Sequence, residues 1–497
     1  MTSDRLDPNE PSVADCSVGR FNFIERIGQN KPERQDRLAS ILAQIDEEKL
    51  EVVRVAYVDT HGIVRVRPVE ARLFSQAARN GVPFTTALFA MDSANIIFQN
   101  VFASDGGFGR DTMGGAGDML AIPDLSTFRV LPWAHKCGWV LSDLYLTSGE
   151  RCPLDPRLIM QTACERLAQR GLTYVAGVEM ECHILKITDP RNDLSDCTQP
   201  PASPDVEAMR HGYQYMSENV LDALEPIITH IRHALIGVGL PLRIIDAEWG
   251  PGQIEVSLDP ILNVAAADAA VILRSTVKQV CRRMGLLASF MAKPALPNVF
   301  SSGWHLHQSL FHSANGKNAF AEAGSLMSST GMHFVGGLLE HARASSAFSN
   351  PTVTGYKRLH ANPLAPNRVL WSCDNKGAMC RLVGGMGDPV THIENRFGEP
   401  AANPYLYMGS QVIAGLDGIT NRIDPGSPLP DPYAQTQRPL MPTSLGEAVD
   451  ALAASAMFRA ALGNEFLDHY ISVRRHELGR FQTHVTDWEH REYFEAY

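Results

Sequence analysis

The chain contains no run of roughly 18 apolar residues, the length at which a helix begins to cross a bilayer, so a membrane-spanning role is not expected. Its opening stretch, MTSDRLDPNEPSVADCS, has no basic start followed by an apolar segment, and export is not expected either. No long Lys/Arg run offsets the balance of 44 basic against 55 acidic side chains, which leaves a net charge of −11. Holding nucleic-acid phosphates takes clustered positive charge, so nucleic acid is not expected as a partner. The nine cysteines are scattered without a CxxC pair, which argues against a zinc cage or a disulfide framework and for reduced thiols in a cytoplasmic protein. Phosphate-cradling loops of the GxxxxGK[ST] and GxGxxG types are also missing. Asn315-Gly316-Lys317 is only a fragment of the first, and His476-Glu477-Leu478-Gly479-Arg480 lacks the second His of HExxH.

What is present is an ordinary globular composition, 44% hydrophobic and 20% charged over 497 residues, enough for two or more compact units. Residues 1–35 are polar and read as a flexible arm. Residues 37–50 show helical spacing. Val52–Val58 and Ile63–Val69, parted by Asp59-Thr60-His61-Gly62, read as two strands around a tight turn. The Gly-rich, aperiodic stretch 80–120 reads as long loops, and strand-like pieces near 119–122 and 139–145 close a small unit over residues 36–150. Residues 151–497 alternate amphipathic helices (157–170, 214–237, 263–284, 331–347, 444–461) with short strands, and the Pro-rich stretch 424–442 reads as an exposed loop.

Four short segments of the larger part alternate acids or histidines with apolar residues, the period of a strand with two unlike faces. Glu179, Glu181 and His183 share one face of GVEMECHI; Gln253, Glu255 and Ser257 share one of GQIEVSL, with Glu248 just upstream. His305, His307 and Ser309 align in WHLHQSL, as do Glu394 and Arg396 in IENRF. Any one of these faces fits a sheet side turned to water. Together they describe a site whose carboxylates would repel one another unless cations sat among them, and oxygen-rich ligands suit Mg²⁺ or Mn²⁺. Hard divalent ions beside Arg358, Arg381 and Arg396 imply phosphate, because guanidinium forks and metals both neutralise phosphoryl oxygens.

These segments, with EWGPGQIE (248–255), SSGWHLHQSL (301–310), GYKRL (355–359), IENRFGEPAANPYL (393–406), GDMLAIPDLST (117–127) and FMAKP (290–294), resemble the glutamine synthetase family from about residue 50 to the C-terminus, in the family's order. The resemblance implies an α+β fold: an N-terminal β-grasp domain and a catalytic domain whose antiparallel sheet forms half of a barrel, flanked by helices. It also implies a ring-shaped homo-oligomer, of the hexamer or dodecamer class, with active sites between subunits. By motif position, Glu181, Glu248 and Glu255 would hold one metal, and Glu179, His305 and Glu394 the other. His307, Ser309 and Arg381 would serve ATP. Glu181, Gly303, Arg358 and Arg396 would receive L-glutamate, with Arg358, Arg396 and Lys376 assisting phosphoryl transfer. The implied reaction makes a γ-glutamyl phosphate from ATP and glutamate, which an amine then converts to an amide.

The departures from the family concern the amine. Ammonia-using relatives carry a flap acid where this chain has Leu364, and no DGSS-type loop occurs in residues 80–115, where Asp92 and Asp105 are weak substitutes. Ammonium needs acids to hold it and take its proton, whereas an aryl amine is neutral at pH 7 and is disfavoured by an unpaired carboxylate beside its ring. The expected amine is therefore aromatic, aniline being the type case, with Leu364, Tyr213, Trp249 and Phe300 as candidate pocket residues. Phe300-Ser301 replaces the family's Asn-Gly, and Lys376 stands in place of an Arg. The branch of the family most similar to this pattern comprises the γ-glutamylanilide synthetases. Ammonia, an alkylamine or a polyamine as co-substrate, and a non-catalytic structural or regulatory ring, are the alternatives.

Overall fold

In the computed structural model, which describes residues 22–213, 215–361 and 364–497, the alternation around residue 180 becomes one long strand, Leu172–Asp189. Val178, Met180, Cys182 and Ile184 project from it into the core, each at most 1% exposed, while Glu179 and Glu181 take the opposite face. The strand is the axis of a ten-stranded sheet. Its order runs Trp371–Cys373, Cys380–Val383, His392–Asn395, Trp304–His312, Leu172–Asp189, Gln253–Leu258, Leu242–Ala247, and three short strands also pair with the long one. Only the first pair is parallel.

The apolar side of this sheet is covered by helices. Pro156–Ala168 and Val264–Arg283 pack on the long strand, and Arg157 and Asp268 join them through a buried fork, Nε–Oδ1 3.0 Å and Nη2–Oδ2 2.8 Å. Tyr405 donates its hydroxyl to the same Asp268 at 2.6 Å. Tyr405 lies in the first turn of the helix Pro404–Asn421, which Asn403 caps by accepting from the Tyr405 and Leu406 N–H groups. The expected helices 331–347 and 444–461 are each divided, into Ser329–Glu340 with Ala342–Ser349 and Leu445–Ala453 with Ala456–Leu462. In the second pair the break is made by Ser455, whose side chain caps the next helix.

The chain forms two compact units. The smaller, which includes Arg65–Thr86 and Gly117–Cys152 as well as the chain through Tyr57, carries a sheet ordered Val64–Glu70, Val52–Val58, Cys137–Leu146, Asp118–Pro123, Val82–Thr85. Its two central strands, Val52–Val58 and Cys137–Leu146, run parallel. The helix Pro32–Glu47 buries Leu38, Ile41 and Ile45 at i, i+3 and i+7.

Two boundaries differ from the composition-based division. Residues 1–21 of the expected arm lie outside the described residues, but 22–35 hold a short helix with Phe23 and Ile24 buried and the start of the next helix. Residues 58–64 and 87–116 belong to the larger unit instead of the small one. Asn403 donates to the Asp59 and Thr60 carbonyls, and Asp92 pairs with Arg480 and His476, which ties both segments to the catalytic part. The turn 59–62 forms as expected, with Asp59 Oδ1 accepting from the His61 and Ile63 N–H groups at 2.9 Å.

Candidate active site

Strand register brings the acidic and imidazole residues together. Glu179 lies opposite His305, Glu181 opposite Glu255, and Glu394 opposite both His307 and Arg381 on its two neighbours. Glu179 is shared: one carboxylate oxygen meets His305 Nδ1 and the other accepts from His307 Nε2 at 3.0 Å. Ligand atoms of Glu179, Glu255 and His305 lie within 4.8 Å of one another, as do those of Glu179, His307 and Glu394.

The electrostatics show what such crowding costs. Burial and the Glu248 charge push the Glu181 carboxyl up to about 8. Burial, aided by Glu179 and Asp246, pushes Glu248 up to about 7 against the Trp249 N–H and the Lys376 ammonium. Burial and the surrounding acids raise Glu255 as well. Glu179 goes the other way: burial opposes its charge, but the His305 and His307 hydrogen bonds bring it below the ordinary carboxylate range. Carboxyls forced toward their neutral form at pH 7, interleaved with imidazoles, are a donor set that fits hard divalent cations, since a cation inside would let all of them ionise.

The guanidinium groups line the same place. Arg396 pairs with Glu394 Oε1, and Arg381 Nη1 donates to Glu394 Oε2 at 3.0 Å while its Nε donates to Asp374 at 3.0 Å. Arg358 is buried and held by three carbonyls, Phe397 and Gly398 at 3.0 Å and Arg396 at 3.2 Å. Gly303 lets it sit there: a Cβ at 303 would lie 2.7 Å from Arg358 Nη2. The Gly303 N–H donates to Glu181 Oε2 at 3.0 Å. Glu179, His307, Ser309, Arg381 and His392 border a cavity of about 470 Å³, within the range of small-molecule sites. A larger cavity of about 890 Å³ elsewhere in this unit is bordered by none of the predicted site residues.

Beside Glu248 stands a group of aromatic rings. Trp249 stacks on Tyr215 at 4.7 Å between centroids and leans on Phe300 at 5.9 Å, and Phe300 meets Tyr213 edge-on at 5.5 Å. Burial and the charges of Glu248 and Glu255 push the Tyr215 hydroxyl up. Leu364 follows the helix Val353–Ala361 and is 55% exposed, and residues 362 and 363 before it lie outside the described residues.

The family pattern described as glutamine synthetase, catalytic domain, matches residues 153–493. The chain belongs to the glutamine synthetase family. It is similar to a gamma-glutamylanilide synthase of Acinetobacter sp, 40% identical over 496 residues that cover 96% of this chain and 99% of that protein. A glutamate–isopropylamine ligase of Pseudomonas sp is 30% identical over 470 residues, covering 93% and 99%. A solved structure described as apo GmaS without ligand matches with a TM-score of 0.77 at 28% identity over 91% of this chain and 99% of that one. The fold is thus that of a glutamine synthetase, α+β with the half-barrel sheet expected from the sequence, and the chain is an ATP-dependent carboxylate–amine ligase.

Within this synthetase fold five of the six expected metal-site residues lie on strands of the sheet and Glu248 follows Leu242–Ala247. Their ligand atoms group differently from the two expected sets: Glu255 falls with Glu179 and His305, and His307, expected at ATP, falls with Glu179 and Glu394. Arg381, Arg396 and His307 are pressed against Glu394 or Glu179. Three neighbouring residues, Asp246, His392 and Tyr215, were not singled out in the sequence, and Gln253 was named there without its contact. Asp246 lies opposite Glu255, but its strand LRIIDA shows no alternation. His392 Nε2 contacts His307 Nδ1 at 2.9 Å and sits outside every quoted motif. Gln253, seen only as a face-mate, donates to Glu181 Oε2 at 3.0 Å. Tyr215 was assigned to a helix.

Proposed function

We propose that this synthetase family member ligates the γ-carboxylate of L-glutamate to an aromatic amine such as aniline, giving a γ-glutamyl amide, ADP and phosphate through γ-glutamyl phosphate. The observation that carries the reading is the convergence of Glu179, Glu181, Glu248, Glu255, Glu394 and His305 with Arg358, Arg381 and Arg396 on one side of the sheet. A carboxylate is a poor acyl donor because oxide would have to leave. Phosphorylation gives it phosphate as leaving group, and the amine nitrogen then attacks the acyl carbon as the C–O bond to phosphate breaks.

Divalent cations, Mg²⁺ or Mn²⁺, held by Glu181, Glu248 and Glu255 and by Glu179, His305 and Glu394, would neutralise the two anions that must meet. His307, Ser309 and Arg381 serve ATP along the 470 Å³ cavity. The buried Arg358 fork, with Glu181 and Gly303, receives glutamate, and Arg396 and Lys376 stabilise charge on the transferring phosphoryl group. The amine arrives neutral, so it needs no acid at Leu364 and favours the rings of Tyr213, Trp249 and Phe300. The proposal includes a β-grasp role for the small unit and a cytoplasmic ring of subunits, hexamer or dodecamer, that completes each site.

The likeness to a glutamate–isopropylamine ligase favours, as a second reading, an alkylamine as co-substrate. Mass spectrometry of products formed from glutamate, ATP and a panel of amines separates these readings. γ-Glutamylanilide as the dominant product supports the proposal, and preference for isopropylamine or ammonium overturns the aromatic assignment.

A further inference from the structure

Two stretches that are distant in sequence, 209–213 and 248–252, are locked together by one side chain. Arg210 Nη2 donates to the Glu248 carbonyl at 2.8 Å and the Gly250 carbonyl at 3.0 Å, while Nη1 donates to the Gly212 carbonyl at 2.8 Å. Tyr213 donates its hydroxyl to the Asn298 carbonyl, which brings in a third loop. At Gly252 the backbone runs so close that a Cβ would meet Met209 Cβ at 3.2 Å. The rings carried by these loops are therefore fixed relative to one another. Tyr215 lies parallel to Trp249, with 1° between the planes, yet Tyr213, Tyr215 and Trp249 are each 39–40% exposed.

Large aromatic faces half open to solvent are costly to leave unpaired and mark a surface that a ligand covers. The wall begins at the residue after Glu248, and the Trp249 N–H donates to the Glu248 carboxylate at 3.2 Å. An amine poised for attack near the acids would lay its substituent here. A flat aryl substituent gains ring-to-ring contact over its whole face here, whereas the small branched group of an alkylamine covers less of the wall.

We infer that Tyr215, stacked on Trp249 and held by the Arg210 clamp, is a specificity-determining residue whose ring forms the seat for the aryl group of the amine. The inference rests on the proposed glutamate–amine ligation and names the substrate class that its amine side selects. Tyr215 acts by direct contact with the ring. Arg210 is a positioning residue that acts through the loop carbonyls.

The test compares kcat/KM for aniline with kcat/KM for isopropylamine in the full-length wild type, Tyr215→Ala, Tyr215→Phe and Arg210→Gln. Tyr215→Ala lowers the aniline-to-isopropylamine ratio about tenfold, mainly through the aniline KM, because one ring-ring contact and its buried area are lost. Tyr215→Phe keeps the ratio, since the ring and not the hydroxyl is used. Arg210→Gln lowers the ratio through a raised aniline KM, the readout that a general loss of fold would not single out. If the wild type forms the anilide and Tyr215→Ala keeps the wild-type ratio, the seat is elsewhere and this inference falls alone. A wild type that forms no anilide overturns the aromatic-amine reading and this inference together.

Discussion

A single methyl group separates a working site from a strained one at Gly303. Arg358 is fixed by three carbonyls, so it has little room to yield to a Cβ placed 2.7 Å from its Nη2 and 3.2 Å from His305 Nε2. Gly303→Ala should therefore lower kcat/KM for glutamate by about tenfold or more, the order of loss expected when a positioned group shifts by a fraction of an ångström. The thermal midpoint should fall as well, because Gly303 is buried between Ser302 and Trp304 and the fixed Arg358 cannot retreat; phosphate release at varied glutamate, beside a melting curve, checks both. Glu248→Ala belongs to the same scale. It removes a carboxylate whose raised affinity for protons reflects its crowding, and it should abolish amine-dependent phosphate release. Leu364→Glu should shift amine preference toward ammonium, and an unchanged ratio of ammonium to aniline turnover would place the amine site away from this loop.

At the scale of the element, strand alternation explains both what the sequence reveals and what it hides. In Trp304–His312 the residues His305, His307 and Ser309 face the site while Trp304 points the other way, fully buried and edge-on to Tyr407 at 5.1 Å. Replacing Trp304 by Ala should cost about 3–5 kcal/mol, as for other large buried aromatics. Trp304→Phe should cost much less, because the buried indole N–H has no hydrogen-bond partner among the described residues; urea denaturation of both variants measures the difference. The acids were legible because the same period that sends Val178 and Met180 into the core turns Glu179 and Glu181 to the other face of the strand. Register was not legible, since no single strand states which neighbour it meets, and so Asp246 and His392 stayed hidden. The helix Pro404–Asn421 was missed for a different reason. It is buried on almost every side, and a helix apolar all round shows no amphipathic period. Tyr215 was hidden by a boundary: the helix starts at Glu218 and not at 214, which leaves Tyr213 and Tyr215 outside it.

Across the whole molecule, the crowded acids tie stability to pH and to metal. The carboxyls of Glu181, raised to about 8, and Glu248, raised to about 7, bind more protons folded than unfolded. Their contribution is complete below the ordinary carboxylate range and is lost as pH rises through those values. Buried His183, lowered by burial to about 4, and His469, lowered to about 3, act oppositely, and their effect is complete above the ordinary imidazole value. From about pH 6.5 to 9 the acids therefore set the slope, and the metal-free protein should lose thermal stability over that window. Two other terms fall in the same direction: Glu399, raised by burial to about 7, and the self-repulsion of a chain with net charge −11. Glu399 is not among the proposed ligands, so its term cancels when melting temperatures are compared with and without Mg²⁺ or Mn²⁺, whereas the net charge counts the ligand carboxylates and is reduced with them when a cation binds. The stabilisation by metal should accordingly grow between pH 6.5 and 9, as fewer protons compete for the same oxygens. Melting curves across that range, in chelator and in excess cation, measure it; a difference that stays flat would mean that the clustered carboxylates are not what the cations bind.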